Sequence, residues 1–224
     1  MRTPTPSYLA PPCEEEVTIL YQDDDILVVD KPAGLLSMPG PDPQYESDNL
    51  VRRLQEDFEE IRLVHRLDRL TSGVMVIARH KESQKRLNQS FQYREVKKRY
   101  VAVVDGIVEA QCGDLRFPLK PDWPNKPRQK IDFVEGKPCH TQYKVLERDT
   151  QRGCTRVSLT PVTGRTHQLR LHMTAIGHPI WGCELYAPDD AFEASSRLLL
   201  HACWLRFAHP ITRQWMEWTC PAPF

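Results

Sequence analysis

The segment HRLD at positions 65–68 places the carboxylate of Asp68 beside His65 and Arg66, directly ahead of an apolar run. An aspartate that acts as a nucleophile has to stay ionised, and a cation within hydrogen-bond reach favours the charged form. The same carboxylate could instead cap backbone amides in the turn that follows, which is a structural role. The residue types therefore predict either a catalytic aspartate or a loop anchor at this position.

A second candidate is the stretch TGRTHQLRLH at 163–172. Thr166 predicts a helix N-cap, and Gly177 followed by Pro179 predicts the end of the same helix. Arg165 would then precede a helix N-terminus, where free amides and the helix dipole favour an anion and a guanidinium adds a bidentate donor. This pattern predicts a site for a phosphate or a carboxylate, although an exposed arginine beside a loop glycine would give the same local sequence.

Three histidines near this stretch, His167, His172 and His178, raise the question of a metal site. Their spacings of five and six residues do not place them on one helical face, and no acidic residue stands close to them. We therefore expect no metal here.

Basic residues concentrate in two segments, although the formal net charge of the chain is zero. The first, Lys97-Lys98-Arg99, leads into Tyr100, so phosphate contacts would stand beside a ring that can stack on a base. The second, at 120–130, has four Lys or Arg against one Asp, with Lys126, Arg128 and Lys130 among them. Both segments predict a basic face that contacts a nucleic-acid backbone, with solvated surface charge as the alternative.

The elements that must position these residues follow from hydrophobic periodicity. Apolar runs at 17–21 and 26–29 around an acidic turn predict a hairpin. A helix is expected with Leu50, Leu54, Phe58 and Ile61 on one face and Ser47 or Asp48 as its cap. Further helices are expected at 82–94 and after Thr166, and further strands at 74–78, 100–104, 141–145, 156–159, 202–207 and 215–219. Strands outnumber helices without regular βαβ alternation, which predicts an α+β fold with a mixed, largely antiparallel central sheet flanked by helices and loops.

Composition narrows the class of protein further. Seven cysteines without a CxxC pair argue against a zinc knuckle or a disulfide framework and favour free thiols in a reducing cytoplasm. The chain has neither an apolar run long enough to span a membrane nor an apolar signal core at its N-terminus. We expect residues 1–16 to form a flexible tail ahead of one folded region at 17–224.

Five segments in this order resemble those of the RluA-type pseudouridine synthases, over about residues 17 to 220. They are KPAGL at 31–35, HRLDRLTSG at 65–73, KKRYVAVVDG at 97–106, GRTHQLRLH at 164–172 with GHPIWG behind it, and LLLHA at 198–202. The segments WPNKPRQK and GKPCHTQY are similar to members with dual specificity for transfer RNA and large-subunit ribosomal RNA.

The resemblance implies an enzyme that isomerises uridine to pseudouridine within RNA, with no cofactor and no metal. It also implies that residues 17–224 form the catalytic domain, with no separate N-terminal RNA-binding domain. It implies that Asp68 is the catalytic aspartate, that Arg165 forms a buried ion pair with it, and that Tyr100 stacks on the uracil. It also implies that the target uridine is flipped out of its stack and that Arg66 fills the gap. The expected RNA-contacting residues are His65, Arg66, Lys97, Lys98, Lys126, Arg128 and Lys130, in a protein that we expect to be a monomer.

Two other classes of function remain open on the residues alone. A non-catalytic RNA-binding module would use the basic segments and Tyr100 without needing Asp68 and Arg165 as a pair. A metal-free hydrolase or phosphotransferase would use Arg165 to hold an anion, but it should carry a GxSxG or P-loop signature, and the sequence has neither.

Overall fold

The computed structural model describes residues 13–39 and 48–224. In chain order, the helices are α1 Leu50–Gln55, α2 Lys81–Gln92, α3 Gln168–Ala175 and α4 Asp189–Glu193. The strands are β1 Thr18–Gln22, β2 Ile26–Lys31, β3 Arg62–Leu63, β4 Ser72–Ala78, β5 Lys97–Asp105, β6 Cys112–Leu115, β7 Leu119–Pro121, β8 Gln129–Ile131, β9 Thr141–Asp149, β10 Cys154–Pro161, β11 Leu200–Ala208 and β12 Trp215–Thr219. Strands dominate and the sheet is mixed, which confirms the predicted α+β class.

The chain divides into two compact units. The terminal unit contains the described residues up to Lys98 together with residues 201–223. The central unit contains residues 99–200 and Phe224. Across all described residues, no helix is long and apolar enough to cross a membrane.

The terminal unit is built around β4, whose seven residues are all buried. Strand β2 pairs antiparallel with β4 along its length, and β1 pairs antiparallel with β2, so the predicted hairpin is confirmed. Strand β11 runs parallel to β4 over two residue pairs, and β12 pairs antiparallel with β11. Burial of both β2 and β4 on both faces explains their continuous apolar sequences, because a half-exposed strand would alternate.

Helix α1 is shorter than predicted. It ends at Gln55, its N-cap is Asn49, whose side chain accepts a hydrogen bond from the Arg52 amide, and Ser47 lies outside the described residues. The acidic segment at 56–60 follows directly, and carboxylates at a helix C-terminus oppose the helix dipole. Ile61 is buried nonetheless, so the apolar spacing identified inward-facing residues beyond the end of the helix.

Helix α2 confirms the prediction within two residues, with Leu87 fully buried and His80 as the N-cap. Part of the predicted flexible tail is also described. The Arg53 guanidinium donates to the carbonyl oxygens of Cys13 and Glu15, so these two residues are attached to the terminal unit.

The central unit contains an antiparallel sheet in the order β5-β10-β9-β6, with the short hairpin β7-β8 beside it. Its core includes Val103, Cys154, Trp181 and Leu199. The segment GHPIWG runs along the end of β5, where the Trp181 amide donates to the Val103 carbonyl oxygen and the Asp105 amide donates to the Pro179 carbonyl oxygen. Gly177 ends helix α3 with a φ of 84°, as predicted for a helix-terminating glycine.

Candidate active site

Asp68 lies in the loop that leads into β4, and its side chain is partly exposed. The Thr71 amide donates to the Asp68 carbonyl oxygen at 3.0 Å, which closes a turn over these four residues. On the other side, the Ser37 hydroxyl donates to the Leu67 carbonyl oxygen at 2.7 Å and accepts from the Leu67 amide at 3.1 Å. The backbone around Asp68 is therefore held from both directions.

The Lys31 side chain is fully buried, and it also fixes this loop. Its ammonium donates to the carbonyl oxygens of Pro32, Leu35 and Arg69 at 2.7, 2.7 and 3.2 Å. The Gly34 amide donates in addition to the Arg69 carbonyl oxygen. A buried ammonium needs several acceptors to offset its lost hydration, so it draws the 31–35 segment and the Asp68 loop together.

His65 does not have the environment of an RNA-contacting residue. Its Nε2 accepts the Val76 amide at 3.0 Å, and its ring stacks on Phe91 with centroids 4.7 Å apart. Burial, with the charge of Lys98 as a lesser cause, lowers the pKa of His65 to about 3. The ring is thus neutral and supports the loop from behind, which does not favour its predicted role.

Lys98 belongs to the same internal cluster. Its ammonium lies 5.5 Å from the centre of the Phe91 ring, and burial lowers its pKa. Lys97 is exposed and donates to the Arg94 carbonyl oxygen. Of the two predicted contacts at this strand start, the geometry favours Lys97 over Lys98.

Arg66 and Asp68 flank the buried Leu67. Arg66 is exposed and Asp68 is partly exposed, so the loop presents a cation and a carboxylate on either side of an anchored residue. That the two side chains serve different parts of a substrate stays a prediction.

Tyr100 and Arg165 belong to the central unit. Tyr100 is 9% exposed and lies opposite Leu159 in the antiparallel pairing of β5 with β10. Strand β10 ends two residues later at Pro161, and the turn that carries Arg165 follows. The start of β5 and the end of β10 are neighbours in an antiparallel pair, so Tyr100 and the Arg165 turn lie at the same end of the sheet.

Two predictions about the Arg165 turn are wrong. The N-cap of α3 is His167, in a left-handed conformation with φ of 56°, instead of Thr166. Arg165 is exposed, whereas the resemblance implied a buried ion pair. The pairing of Arg165 with Asp68 stays a prediction, and burial of Arg165 is no longer part of it.

Gln168, which the sequence analysis did not single out, organises this turn. Its side chain is 3% exposed, and its oxygen accepts from the Thr163 hydroxyl and the Arg165 amide at 2.8 and 3.1 Å. Its amide nitrogen donates to the His140 carbonyl oxygen and to Thr141 Oγ1, both at 3.0 Å. The glutamine thus replaces the capping threonine that local propensity predicted.

Tyr186 was also missed, and its role depends on distant residues. Its hydroxyl lies 2.7 Å from His167 Nδ1 and accepts the Gln129 amide at 2.8 Å. The guanidinium of Arg128 lies 5.4 Å from its ring centre. Burial raises the pKa of Tyr186 to about 12, so the phenol stays protonated and connects the β7-β8 hairpin to the start of α3.

The basic segment at 120–130 is partly neutralised. The Lys120 ammonium pairs with Asp132 and Glu135 at 2.7 and 2.6 Å. Lys130 stands 3.9 Å from Asp122, and the exposed Lys126 lies over the Trp123 ring at 4.2 Å. Lys126 is therefore more available for a phosphate than Lys120 is.

Two groups of described residues carry side-chain types that bind metals, and neither suits an ion. In the first, Asp23, Asp25 and His209, the histidine Nδ1 accepts the Thr212 amide at 3.0 Å. Its proton is then on Nε2, which donates to Asp23 Oδ2, so a metal could bind Nε2 only by removing the last ring proton.

The second group is Asp30, His201 and Cys220. Burial and a hydrogen bond to Asp30 raise the pKa of the Cys220 thiol to about 12. Both ring nitrogens of His201 are already bonded, Nδ1 to Ser72 Oγ and Nε2 to the Cys220 carbonyl oxygen, so this group also lacks a suitable ligand set. The histidines of the sequence prediction are bonded elsewhere, His172 Nε2 to the Phe117 carbonyl oxygen and His178 Nδ1 to that of Asp105.

Comparison with known proteins identifies the family. Residues 25–175 match the family described as RNA pseudouridylate synthase, and this range contains Asp68, Tyr100 and Arg165. The dual-specificity RNA pseudouridine synthase RluA of Pasteurella multocida is 47% identical over 214 residues, which is 96% of this chain and 97% of that protein. The protein of the same name from Escherichia coli strain K12 is 46% identical with the same coverage.

Solved structures agree with these sequence matches. The structure of human RNA pseudouridylate synthase domain containing 1 has a TM-score of 0.79 and 30% identity, and the match covers 96% of this chain and 86% of that one. The chain belongs to the RNA pseudouridylate synthase family. It is an isomerase of the RluA type within that family.

Proposed function

We propose that the chain converts specific uridines to pseudouridine in two classes of RNA, large-subunit ribosomal RNA and the transfer RNA anticodon stem-loop. The support is near-complete coverage at 47% identity by a relative named as dual-specificity. We further propose that residues 17–224 act as the catalytic domain, in a cytoplasmic monomer that needs neither metal nor cofactor.

In this reaction the bond between uracil N1 and ribose C1′ breaks, and a bond between C5 and C1′ forms. The hydrogen on C5 leaves as a proton and N1 gains a proton, so substrate and product contain the same atoms. Asp68 acts on the sugar, either by attack at C1′ or by assisting deprotonation. Arg165 keeps the aspartate ionised, because a guanidinium favours the charged form of a nearby carboxylate.

The best observation for this assignment is the set of hydrogen bonds that fixes the backbone around Asp68. Lys31, Ser37 and Thr71 fix the backbone on both sides, while the carboxylate itself stays partly exposed. A catalytic group needs this combination of a fixed position and access to substrate. A carboxylate that merely anchored a loop would not need three separate supports for its own backbone.

The decisive experiment is tritium release from RNA labelled at uridine C5, because that hydrogen is lost only when C5 becomes bonded to the sugar. Transfer RNA and large-subunit ribosomal RNA serve as separate substrates. We expect release from both by the wild type and none by Asp68→Asn, which removes the charge and keeps the shape. Asp24→Asn is the matched control, since Asp24 is an exposed acid in the β1-β2 turn of the same unit.

Each outcome of this experiment has a separate meaning. Release from only one of the two RNAs would contradict the proposed dual specificity and would still support the isomerase activity. RNA affinity without any release would favour the non-catalytic binding module instead. Full release by Asp68→Asn would show that Asp68 is not the catalytic aspartate.

Tyr100 gives a second, independent test. We propose that its ring stacks on the flipped uracil and that its hydroxyl serves in the late proton transfer from C5. Tyr100→Phe retains the ring, so we expect RNA affinity close to the wild type and slower turnover by about 10²- to 10⁴-fold. Single-turnover tritium release and RNA binding measured together check this, and an unchanged rate would remove the hydroxyl from the mechanism.

A further inference from the structure

A buried serine–histidine pair lies where the Asp68 loop enters the sheet. Ser72 Oγ is 2.8 Å from His201 Nδ1, and the two residues are 3% and 1% exposed. Ser72 begins β4 and stands directly opposite His201 in the parallel pairing with β11. The parallel pairing consists of only two residue pairs, and Ser72 with His201 is one of them.

The protonation of the pair follows from its surroundings. His201 Nε2 lies 3.1 Å from the Cys220 carbonyl oxygen, which can only accept a hydrogen bond. Nε2 therefore carries a proton, and in the neutral imidazole Nδ1 accepts the hydroxyl hydrogen of Ser72. Both ring nitrogens are used, and the imidazole connects the start of β4 to the residue that follows β12.

The next residue pair, Gly73 and Ala202, reinforces the contact between β4 and β11 at the start of β4. Gly73 has a φ of 120°, and a Cβ at this position would lie 2.3 Å from the Ala202 carbonyl oxygen. The backbone of β4 is thus in direct contact with that of β11 at residue 73, and hydrogen-bonded through side chains at residue 72. Together the two contacts fix the place where the chain enters the strand.

This fixed point is one residue from the turn that carries Asp68. Thr71, 2% exposed, donates its amide to the Asp68 carbonyl oxygen, so a shift of Ser72 is passed to the turn. Lys31 and Ser37 hold the turn on its other side. Without the serine–histidine contact, Lys31 and Ser37 would be the main support of the Asp68 turn.

We propose that Ser72 and His201 are positioning residues for Asp68, an inference that rests on the proposed catalytic role of Asp68. A serine hydrogen-bonded to a histidine is also the nucleophile and base of many hydrolases. Burial of both side chains keeps a substrate from Ser72, and Nε2 is bonded to a backbone carbonyl. The pair acts on the geometry of the loop and takes no part in the chemistry.

The test compares variants by single-turnover tritium release, RNA affinity and urea unfolding. Ser72→Ala is expected to slow release about 10- to 100-fold, because small displacements of a catalytic group carry penalties of this size. RNA affinity should stay within about twofold, since the side chain is not exposed. His201→Asn places an amide oxygen near the position of Nδ1 and should keep most of the rate while it lowers stability.

A double variant separates positioning from stability. His201→Leu alone takes the imidazole partner from both the Ser72 hydroxyl and the Cys220 carbonyl oxygen, and adding Ser72→Ala removes the first of these two costs. We expect the double variant to be more stable than His201→Leu alone, while its release rate stays as low. Recovery of the rate together with stability would overturn the proposal, and the double variant carries the comparison if Ser72→Ala does not fold.

Ser90→Ala is the matched control, because Ser90 is a buried serine in α2 whose hydroxyl donates to Glu95 at 3.0 Å. We expect it to lower stability without changing the rate. Asp68→Asn runs in parallel. An active Asp68→Asn would overturn the proposed function, whereas an inactive Asp68→Asn beside a fully active Ser72→Ala would overturn the positioning role alone.

Discussion

His65 and Asp68 are three residues apart, yet they have different environments. The His65 ring stacks on Phe91 and accepts the Val76 amide, while Asp68 is partly exposed in the following turn. A sequence motif of this kind therefore contains both the candidate catalytic residue and a residue that supports its loop. Residue type did not separate these roles, because imidazole serves equally as an RNA contact and as a buried acceptor.

The environment of His65 predicts an acid-dependent loss of stability. Burial lowers its folded-state pKa to about 3, whereas the unfolded chain binds this proton near 6.5. The contribution of His65 is therefore fully present above pH 6.5 and is lost as pH falls toward 3. We expect His65→Phe, which keeps an aromatic ring against Phe91, to lose less stability than the wild type between pH 7.5 and 5.

Urea unfolding at the two pH values measures this difference directly. The variant lacks the bond from the Val76 amide at both pH values, so only the change with pH is compared. An identical pH dependence in both proteins would mean that His65 titrates normally in the folded state.

Arg165 and Gln168 form a contrasting pair of residues in one turn. Because Arg165 is exposed, Arg165→Ala should leave the urea unfolding midpoint close to that of the wild type. The same variant should abolish most turnover, because the proposed guanidinium partner of Asp68 is lost. Gln168 is buried with two donors and one shared acceptor satisfied, so Gln168→Ala should cost about 1–3 kcal/mol of stability. Normal turnover by Arg165→Ala would remove it from the mechanism, and a large stability loss would show that it is buried in solution.

At the scale of elements, the strands were more predictable than the helix ends. Strands β4 and β5 have apolar runs that need no knowledge of their partners, and the sequence identified both. The start of α3 depended on Gln168 reaching back to Thr163 and on Tyr186 bonding to His167. A tertiary bond of the second kind is not visible in a local pattern, so the threonine cap was a reasonable but wrong prediction.

The contact between β4 and β11 makes Gly73 one of the least replaceable residues of the terminal unit. A Cβ there would overlap the backbone of Ala202, and the φ of 120° is itself unfavourable for other residues. We expect Gly73→Ala to lose more than about 4 kcal/mol of stability or to fail to fold. Thermal and urea unfolding measure this.

Gly153 is the matched control for that substitution. It also has a positive φ, 66°, but a Cβ at this position would have no neighbour within 4 Å, so only the backbone strain applies. Gly153→Ala should cost about 1–2 kcal/mol. Equal losses in the two variants would show that close approach to β11 is not the reason for the glycine.

At the scale of the whole molecule, net charge was a poor guide. The chain is formally neutral, yet it belongs to a family that acts on RNA. Positive charge matters where it is exposed and unneutralised, and that depends on acids far away in sequence, such as Asp132 and Glu135 beside Lys120. The count of basic residues therefore identifies a candidate segment without telling which of its lysines is available.

This distinction predicts different salt dependence within one hairpin. Lys126→Ala should reduce the slope of log RNA affinity against log salt by about 1, because an exposed lysine on a phosphate releases a counterion. Lys120→Ala should leave the slope near that of the wild type, since its ammonium is paired with two carboxylates. Binding titrations at several salt concentrations measure both, and equal slopes for the two variants would contradict the assignment.

The terminal unit is discontinuous in sequence, because residues 201–223 complete a structure that begins before residue 98. A nascent chain that has just emerged from the ribosome through α2 contains both β2 and β4 but lacks β11, the parallel partner of β4. About one hundred further residues must be synthesised before His201 reaches Ser72, which at about 5–20 residues per second takes roughly 5–20 seconds. During synthesis, residues 99–200 of the central unit are therefore made before the unit that carries Asp68 can close.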